Sequence, residues 1–324
     1  MKKIIAISFV LTLIMLLAPI SALDLPENVT TITTVEGAEE QPEVKEAATE
    51  YFKVYSPETE KITEMAAQDY IFGVVAAEMP ALYNEEALKA QAVAAYTYAC
   101  VRKANNSGQE YDITTDFNVD QSFVSVKELT EKWGEKTEEY TAKIKKAVAD
   151  VSGYIINYDG KAITAVYHAI SSGKTENSEN VWGKEMPYLK SVDSSKDKEA
   201  ENYKTEVSFT ADELKEKLKS DFVIENINDL TFEISEKSDV GTVKKLNISG
   251  LECTGANLRN LLNLRSSCFE ITKNENGYTF TVYGYGHGVG MSQTGANYMA
   301  EEGKDFKEIL THYYTGCKVE KVSK

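Results

Sequence analysis

The sequence predicts an α+β protein: a mixed helix and sheet core, a smaller α+β ancillary unit, and a cleft between them. Residues 62–103 have apolar side chains at helical spacing, while residues 208–282 are mainly short alternating strands with turn residues between them. A glycine-rich motif at 283–296 then leads into further helical patterns. We therefore expect the core to comprise residues 56–207 and 281–324, and the ancillary unit to comprise residues 208–280.

The N-terminus carries an export signal. Two lysines precede an uncharged, mainly apolar run from Ile4 to Ile20. Because Ile20-Ser21-Ala22 is a poor cleavage site, we expect residues 1–22 to remain as a signal anchor, with a cleaved signal peptide as the alternative. The predicted location is the cell membrane, spanned once, with the folded region outside the cytoplasm. ATP chemistry is therefore not expected.

Composition narrows the partners. The acidic, proline-containing residues 23–55 are predicted to be a disordered tether. The whole chain has 51 acidic and 35 basic residues, a formal net charge of −16, which argues against nucleic acid as a partner. Its four cysteines are widely spaced and its three histidines form no zinc spacing, so we expect neither a metal nor a cofactor.

Two helices are predicted in the first folded block. The first covers residues 65–78 and is ended by Pro80. The second begins after Asn84, whose side chain suits an N-cap, and has acidic residues in its first turn. Residues 105–122 are polar and predicted to form a loop, and residues 136–150 a lysine-rich helix with a solvated face.

Strands dominate the middle of the chain. Two strands, 153–158 and 161–170, flank an Asp159-Gly160 turn, and residues 190–205 are charged and irregular. The elements expected further on are a capped helix at 208–220, strands at 231–236 and 242–249, a hairpin at 269–284, and helices at 292–302 and 308–314.

Glu78 is a candidate general acid. It ends a helix among apolar neighbours, and both the helix dipole and desolvation disfavour its charged form. A raised pKa is what a general acid needs near neutral pH. The alternative is an ordinary exposed glutamate.

Three further positions carry polar groups in suggestive places. Gln91 lies in an apolar helical stripe and needs a hydrogen-bond partner, either another helix or a substrate amide. His168 ends a strand that runs into Ser171 and Ser172, a position suited to presenting groups to a ligand. A buried core histidine remains the alternative for His168, and the SSGKT string fails as a phosphate loop because position 168 is not glycine.

The motif YGYGHGVGMSQTGA, residues 283–296, surrounds His287 with glycines. It is neither a dinucleotide fingerprint, since position 289 is valine, nor a Walker loop, since no lysine follows. Glycines would let backbone N–H groups and His287 approach a ligand closely, whereas the alternative is a tight turn with positive φ angles.

Three blocks together resemble the SpoIID/LytB family. They read VVAAEMPALYNEEALKAQAVAAYTYA, AVYHAISSGKTENSENVWGKEMPYLKSV and YGYGHGVGMSQTGANYMAEEGKDFKEILTHYYTG, and the similarity extends over residues 62–318. The resemblance implies a peptidoglycan lytic transglycosylase that acts during engulfment in endospore formation. Its substrate would be glycan strands lacking stem peptides, and its partners a cell-wall amidase and membrane proteins. The family's catalytic glutamate corresponds to Glu78.

The resemblance and the residue patterns together predict a cleft facing Glu78. The predicted substrate-binding residues are Gln91, Tyr96, His168, Ser171, Ser172, His287, Gly288, Ser292 and Gln293. Two of them depart from the family pattern: Tyr96 replaces an arginine and Ser172 replaces a glycine. These departures leave open altered specificity or weakened activity.

Two other functions fit the sequence. The chain could be a non-catalytic, glycan-binding enhancer of a cell-wall amidase, in which case Glu78→Gln would leave function intact. It could also be a structural anchor in an envelope complex, in which case deleting residues 1–50 would abolish function and changes in the cleft would not.

Overall fold

The α+β class is confirmed by a computed structural model, which describes residues 50–219, 221–222 and 230–322. The predicted anchor at 1–22 and nearly all of the tether lie outside the described residues. Within the described ranges, no helix has the length and apolar character needed to cross a bilayer.

Helices and small sheets alternate along the chain. The elements of the first half are β1 (Tyr51–Ser56), β2 (Lys61–Ala66), α1 (Ala67–Glu78), α2 (Glu85–Asn105), β3 (Ile113–Thr114), α3 (Val126–Trp133), α4 (Thr137–Asp150), β4 (Tyr154–Tyr158), β5 (Lys161–Ala162) and β6 (Tyr167–His168). Those of the second half are α5 (Ser178–Trp182), β7 (Lys204–Thr210), α6 (Ala211–Leu218), β8 (Phe232–Lys237), β9 (Val243–Ile248), β10 (Leu251–Thr254), α7 (Gly255–Leu262), β11 (Phe269–Asn274), β12 (Gly277–Tyr283), β13 (Met291–Ser292), α8 (Gln293–Glu301), α9 (Phe306–Tyr313) and β14 (Lys318–Lys321).

The first strand corrects the boundary of the predicted tether. Residues 51–55 belong to β1, which pairs antiparallel with β2. Alternation buries Phe52 and Val54 in the main core, and this burial favours an ordered strand over a solvated chain. Pairing of β2 also explains why α1 begins at Ala67 rather than at residue 65.

The helices α1 and α2 form the centre of the main core. Asn84 caps α2 as expected, since its side chain accepts a hydrogen bond of 3.0 Å from the Glu86 N–H. The alanines of α2 are almost all buried, which lets α1, α4, α8 and α9 pack closely around it. The helix α4 is not only a solvated face, because Ile144, Ala147 and Val148 are buried against this core.

The predicted turn between β4 and β5 is present. Asp159 and Gly160 have φ angles of 50° and 78°, the positive pair that a type I′ hairpin needs. The strand β14 pairs with the other edge of β4 and so returns the C-terminus to the core.

A parallel pairing brings two distant motifs together. In the pairing of β6 with β13, Tyr167 lies opposite Met291 and His168 opposite Ser292. Gly290 permits this approach: its φ is 73°, and a Cβ there would overlap the Val166 carbonyl oxygen. The glycines of the 283–296 motif thus let its backbone run directly along the strand that carries His168.

A second hydrophobic cluster lies within residues 207–282. Its sheets are β11-β12-β7 and β10-β9-β8, and α6 and α7 pack on them. The boundaries predicted at 207/208 and 280/281 fall inside the paired strands β7 and β12, which contribute Val207, Phe209, Tyr278, Phe280 and Val282 to this cluster.

A candidate active site around Glu78

Glu78 is the last residue of α1 and is half-buried. Its Oε1 accepts a hydrogen bond from the Ser122 N–H at 3.0 Å, and its Oε2 accepts one from the Gln293 Nε2 at 3.4 Å. Burial raises the pKa of Glu78 above its ordinary value, although the bonds from Ser122 and Gln293 act in the opposite direction. The carboxyl therefore has the electrostatic setting expected of a general acid.

Two amide side chains lie beside Glu78. The Nε2 of Gln293 also lies 3.4 Å from the Oε1 of Gln91, and Gln91 is fully buried. Among the described residues the Gln91 Nε2 has no hydrogen-bond partner. The structure thus brings together three of the predicted residues, Glu78, Gln91 and Gln293, and buries one amide donor that has no partner in the described part of the chain.

The polar loop 115–122 supplies a part of this site that the sequence does not reveal. Besides the Ser122 N–H, it carries Gln121, whose Oε1 accepts a bond of 2.9 Å from the Tyr167 hydroxyl. Burial and, next, the nearby Glu78 carboxylate raise the pKa of Tyr167, which places this phenol close to the acid. Nothing in the loop's composition distinguishes Gln121 and Ser122 from ordinary surface residues.

Asp120 anchors this loop. Its side chain is fully buried and lies 2.6 Å from the Arg102 Nε. It also accepts hydrogen bonds from the Thr114 N–H at 3.0 Å and from the Tyr98 hydroxyl at 3.1 Å. The adjacent Gln121 and Ser122 are therefore held against the end of α1.

His168 and His287 form a second group. Their ring centres lie 5.8 Å apart. The His168 Nδ1 is 3.1 Å from the Val289 carbonyl, which can only accept, so Nδ1 carries the proton and Nε2 is an acceptor. His168 is 4% exposed, and within the described chain its Nε2 has no partner.

His287 has the opposite tautomer. Its Nδ1 accepts a bond of 3.1 Å from the Val289 N–H, and it also bonds to the backbone of Tyr167. Burial, followed by the charges of His168 and Arg259, lowers the pKa of His287 to about 3. Burial likewise lowers the pKa of His168 to about 4, so both rings are neutral near neutral pH. Tyr167 connects this pair to Glu78.

Ser171 and Ser292 are used inside the protein. They are 1% and 0% exposed. The Ser171 N–H and the Ser292 hydroxyl donate to the same oxygen of Asp197, at 2.8 and 2.7 Å. Ser292 also caps α8 through the Gly295 N–H. Through these contacts the two serines have a structural role: they hold α8, the helix that begins with Gln293.

Ser172 and Gly288 lie near His287, away from the direct partners of Glu78. With His287 they line a small pocket of about 20 Å³ whose other wall includes Val240. The Ser172 hydroxyl donates to the Val240 carbonyl at 3.0 Å, so this serine joins the two hydrophobic units of the protein.

Tyr96 does not lie with Glu78. Its hydroxyl donates to Glu50, and it lines a separate pocket of about 300 Å³ with Ala67 and Val148. That pocket lies at the beginning of the 12-residue helix α1, about 16 Å from Glu78 at its end. The expectation that Tyr96 contacts a substrate at Glu78 is therefore not supported by its position.

Fold and site together define an α+β protein in which a half-buried glutamic acid accepts hydrogen bonds from neutral donors and a separate pair of buried histidines is uncharged near neutral pH. The SpoIID family model, described as stage II sporulation protein, matches residues 55–158. The chain is 37% identical to stage II sporulation protein D of Bacillus amyloliquefaciens over 89% of its own length and 83% of that protein. It is 36% identical to stage II sporulation protein D of Bacillus subtilis (strain 168), over 90% and 85%.

The chain belongs to the SpoIID family, and this membership connects it with sporulation. A more distant similarity, 29% identity, is to a protein of Bacillus subtilis named amidase enhancer, over 75% of this chain and 39% of that protein.

Proposed function

We propose that this protein is a peptidoglycan lytic transglycosylase that cleaves glycan strands lacking stem peptides during engulfment. The observation that carries the proposal is the state of Glu78: a half-buried carboxyl with a raised pKa whose hydrogen bonds come from neutral groups. It can be protonated before the reaction and stabilised as a carboxylate after it.

The reaction needs one acid and no water. Glu78 donates its proton to the glycosidic oxygen as the bond from that oxygen to C1 of muramic acid breaks. The C6 hydroxyl of the same sugar attacks C1 and gives its proton to the Glu78 carboxylate. The product is a 1,6-anhydromuramic end, and Glu78 returns to its protonated state. An internal nucleophile replaces the second carboxylate of ordinary glycosidases and is already close to C1.

The neighbouring groups have defined parts in this scheme. The Ser122 N–H and the Gln293 amide stabilise the carboxylate form of Glu78 between the two proton transfers. Gln91, which is fully buried, accepts from the same Gln293 amide and so helps to position it beside Glu78. His168 and His287, both neutral, offer hydrogen-bonding rings without a competing charge.

A labelling experiment tests the mechanism. Glycan strands stripped of stem peptides would be incubated with the protein in water enriched in ¹⁸O, and the new ends analysed by mass spectrometry. The proposal expects anhydro ends without label, because O6 of the sugar is the nucleophile. Labelled reducing ends would instead show hydrolysis and contradict it.

A second function has its own support in the relative named amidase enhancer. In that case the residues around Glu78 and His287 bind glycan, and the protein accelerates an amidase without cleaving the strand itself. Stem-peptide release by a purified cell-wall amidase would be measured with the parent chain and with Glu78→Gln. Equal acceleration by both, with intact strands, would favour the enhancer.

The location and partners belong to the same proposal. Residues 1–22 would anchor the chain in the cell membrane, with the folded part outside the cytoplasm. An amidase must first remove the stem peptides, so a cell-wall amidase and membrane proteins of the engulfment machinery are the expected partners.

A further inference from the structure

Two arginines within residues 207–282 lack the carboxylate partners that would be expected in so acidic a protein. The chain has three arginines and 51 acidic residues. Arg102 contacts Asp120, but neither Arg259 nor Arg265 has a carboxylate within salt-bridge distance among the residues that the structure describes. A guanidinium removed from water is normally paired, so two unpaired ones are unexpected in such an acidic protein.

Both guanidinium groups are held in place by neutral groups. The Arg259 Nε donates to the Leu264 carbonyl at 3.2 Å, and Arg259 is half-buried. The guanidinium carbon of Arg265 lies 4.3 Å from the centre of the Tyr285 ring. The Arg265 Nε is buried and has no acceptor in the described part of the chain.

The segment that carries the two arginines lies close to His287. The Gly286 N–H donates to the Arg265 carbonyl at 2.9 Å, which joins this segment directly to the residue before His287. The charge of Arg259 acts on His287, and the Tyr285 side chain is near enough to act on Arg259. His287 also bonds to the Tyr167 backbone, whose side chain lies near Glu78.

We infer that Arg259 and Arg265 bind a carboxylate of the glycan substrate, namely the lactyl carboxylate of a muramic acid residue near the one that is cleaved. This inference rests on the proposed function. In a strand that still carries its stem peptides, that carboxyl group forms the amide bond to the peptide and has no charge. Removal of the peptide frees it as an anion, which a planar guanidinium binds with two parallel hydrogen bonds.

The arginine pair thus explains selection for strands without stem peptides. In a peptide-bearing muramic acid the lactyl carbonyl is a neutral amide and the peptide adds bulk, whereas a stripped one offers a lactyl carboxylate to two cations that lack an anion. The imidazoles of His168 and His287 are neutral and add no charge beside these arginines. The small pocket that His287 lines also has Lys174, a further cation, and the carboxylate of Glu176 in its wall.

Binding can be measured without cleavage in the full chain, purified in mild detergent and carrying Glu78→Gln. The chain has two tryptophans. Trp182 lies 5.3 Å from the His287 ring and reports on binding near it, and Trp133→Phe removes the other tryptophan, which packs on Tyr140. The ligands are stripped glycan strands and the same strands with their lactyl carboxyls converted to primary amides.

We expect stripped strands to bind at least about tenfold more tightly than amidated strands, the usual scale for a charge-assisted hydrogen bond. Arg259→Gln and Arg265→Gln each reduce the affinity for stripped strands by about tenfold and leave the affinity for amidated strands unchanged. Lys244→Gln is the matched control: it removes a cation of the same unit, one paired with Glu236 at 2.6 Å, and leaves both affinities unchanged.

Equal binding of stripped and amidated strands, or equal loss of both in the arginine variants, overturns the inference. This failure is separable from that of the proposed function. If the strands bind through the arginines but the parent chain never cleaves them, the transglycosylase is wrong and the carboxylate site stands. If the parent chain cleaves amidated strands as fast as stripped ones, the carboxylate site is wrong and the transglycosylase stands.

Discussion

The pKa of Glu78 is set by its burial and by hydrogen bonds that act on it in opposite directions. Burial favours the neutral acid, while the Ser122 N–H and the Gln293 amide favour the carboxylate. An acid that must give up and take back a proton in one turnover requires this balance. The balance has a cost in stability, because the folded protein must desolvate the charge whenever Glu78 is ionised.

We expect Glu78→Gln to raise the melting temperature at pH 8 while abolishing activity. The pKa of Glu78 is raised in the folded state, so the stability it contributes is present at low pH and lost as the pH rises through that pKa. Melting curves of the parent and the variant at several pH values between 5 and 8 measure this effect.

The control for that experiment is Glu85→Gln. Hydrogen bonding to Lys146, the largest cause, lowers the pKa of Glu85, so its contribution has the opposite sign and is lost as the pH falls. A Glu78→Gln variant that is less stable than the parent at pH 8 would contradict the account of a desolvated carboxyl.

The histidine pair predicts sensitivity to acid. The unfolded chain protonates His168 near its ordinary pKa of 6.5, but the folded chain only near 4, because the ring is buried. The contribution of His168 to the free energy of unfolding is therefore fully present above about pH 6.5 and is lost as the pH drops toward 4. Arg259, which acts on His287, disfavours protonation of the pair further.

We expect His168→Asn to move the acid-unfolding midpoint to lower pH, since its amide N–H can still donate to Val289 but takes up no proton. Circular dichroism followed from pH 7 to pH 3 gives the midpoint. A midpoint unchanged from that of the parent would show that other groups govern acid unfolding.

At the scale of elements, the site depends on pieces that come from separate parts of the chain. The helix α1 supplies Glu78, the loop 115–122 supplies Ser122, and α8 supplies Gln293. Two of the three pieces are fastened by a buried carboxylate. Asp120 holds the loop, and Asp197 holds the beginning of α8 through Ser292.

Loss of the first fastening is predicted to affect both stability and catalysis. Asp120→Ala leaves Arg102 unpaired and is expected to cost about 3 kcal/mol in the free energy of unfolding. Where the variant still folds, freeing the Ser122 N–H raises the pKa of Glu78, so the alkaline limb of the pH–rate profile moves to higher pH. Urea unfolding and initial rates of glycan cleavage measure the two effects. An alkaline limb that stays in place would mean that Ser122 does not set the pKa of Glu78.

The helix α8 has no room for a side chain at Gly295. A Cβ there would overlap the Tyr313 hydroxyl and the Ser194 Oγ, and would lie 3.0 Å from Asp197 Oδ1. We expect Gly295→Ala to cost about 2 kcal/mol in the free energy of unfolding by overpacking and to displace Gln293. Ala300→Gly in the same helix is the control: Ala300 is buried, so this variant loses about 1 kcal/mol through helix propensity and a comparable amount through the missing methyl group, but it adds no side chain beside Asp197 and keeps activity. Equal activity of the two variants would show that α8 need not be held so closely.

At the scale of the whole molecule, the sequence could predict those structural features that depend only on residues near one another in the chain. The cap at Asn84, the turn at Asp159-Gly160 and the end of α1 at Glu78 all follow from neighbouring residues. The same reasoning could not locate Tyr96 or assign Ser171 its partner, because those positions depend on how helices pack and which buried carboxylate lies nearby.

Site residues that lie within one of the sequence motifs were predictable. Residues that other parts of the chain bring to the site were not. The β6–β13 pairing could be anticipated only as two motifs needing to meet, and Gln121 and Ser122 had no local signal at all. Arg259 and Arg265 stand out only after folding, because lacking a carboxylate partner is a property of space rather than of sequence.

The central claim is that Glu78 is the acid and base of a glycan-cleaving reaction. The most direct measurement compares the parent chain with Glu78→Gln on glycan strands stripped of stem peptides, counting 1,6-anhydromuramic ends by mass spectrometry. The account predicts that such ends accumulate with the parent and are at least about a hundredfold fewer with the variant, since general acid–base groups contribute at least that much to rate. Anhydro ends formed equally by both proteins, or by neither although both fold and bind the strands, would contradict it.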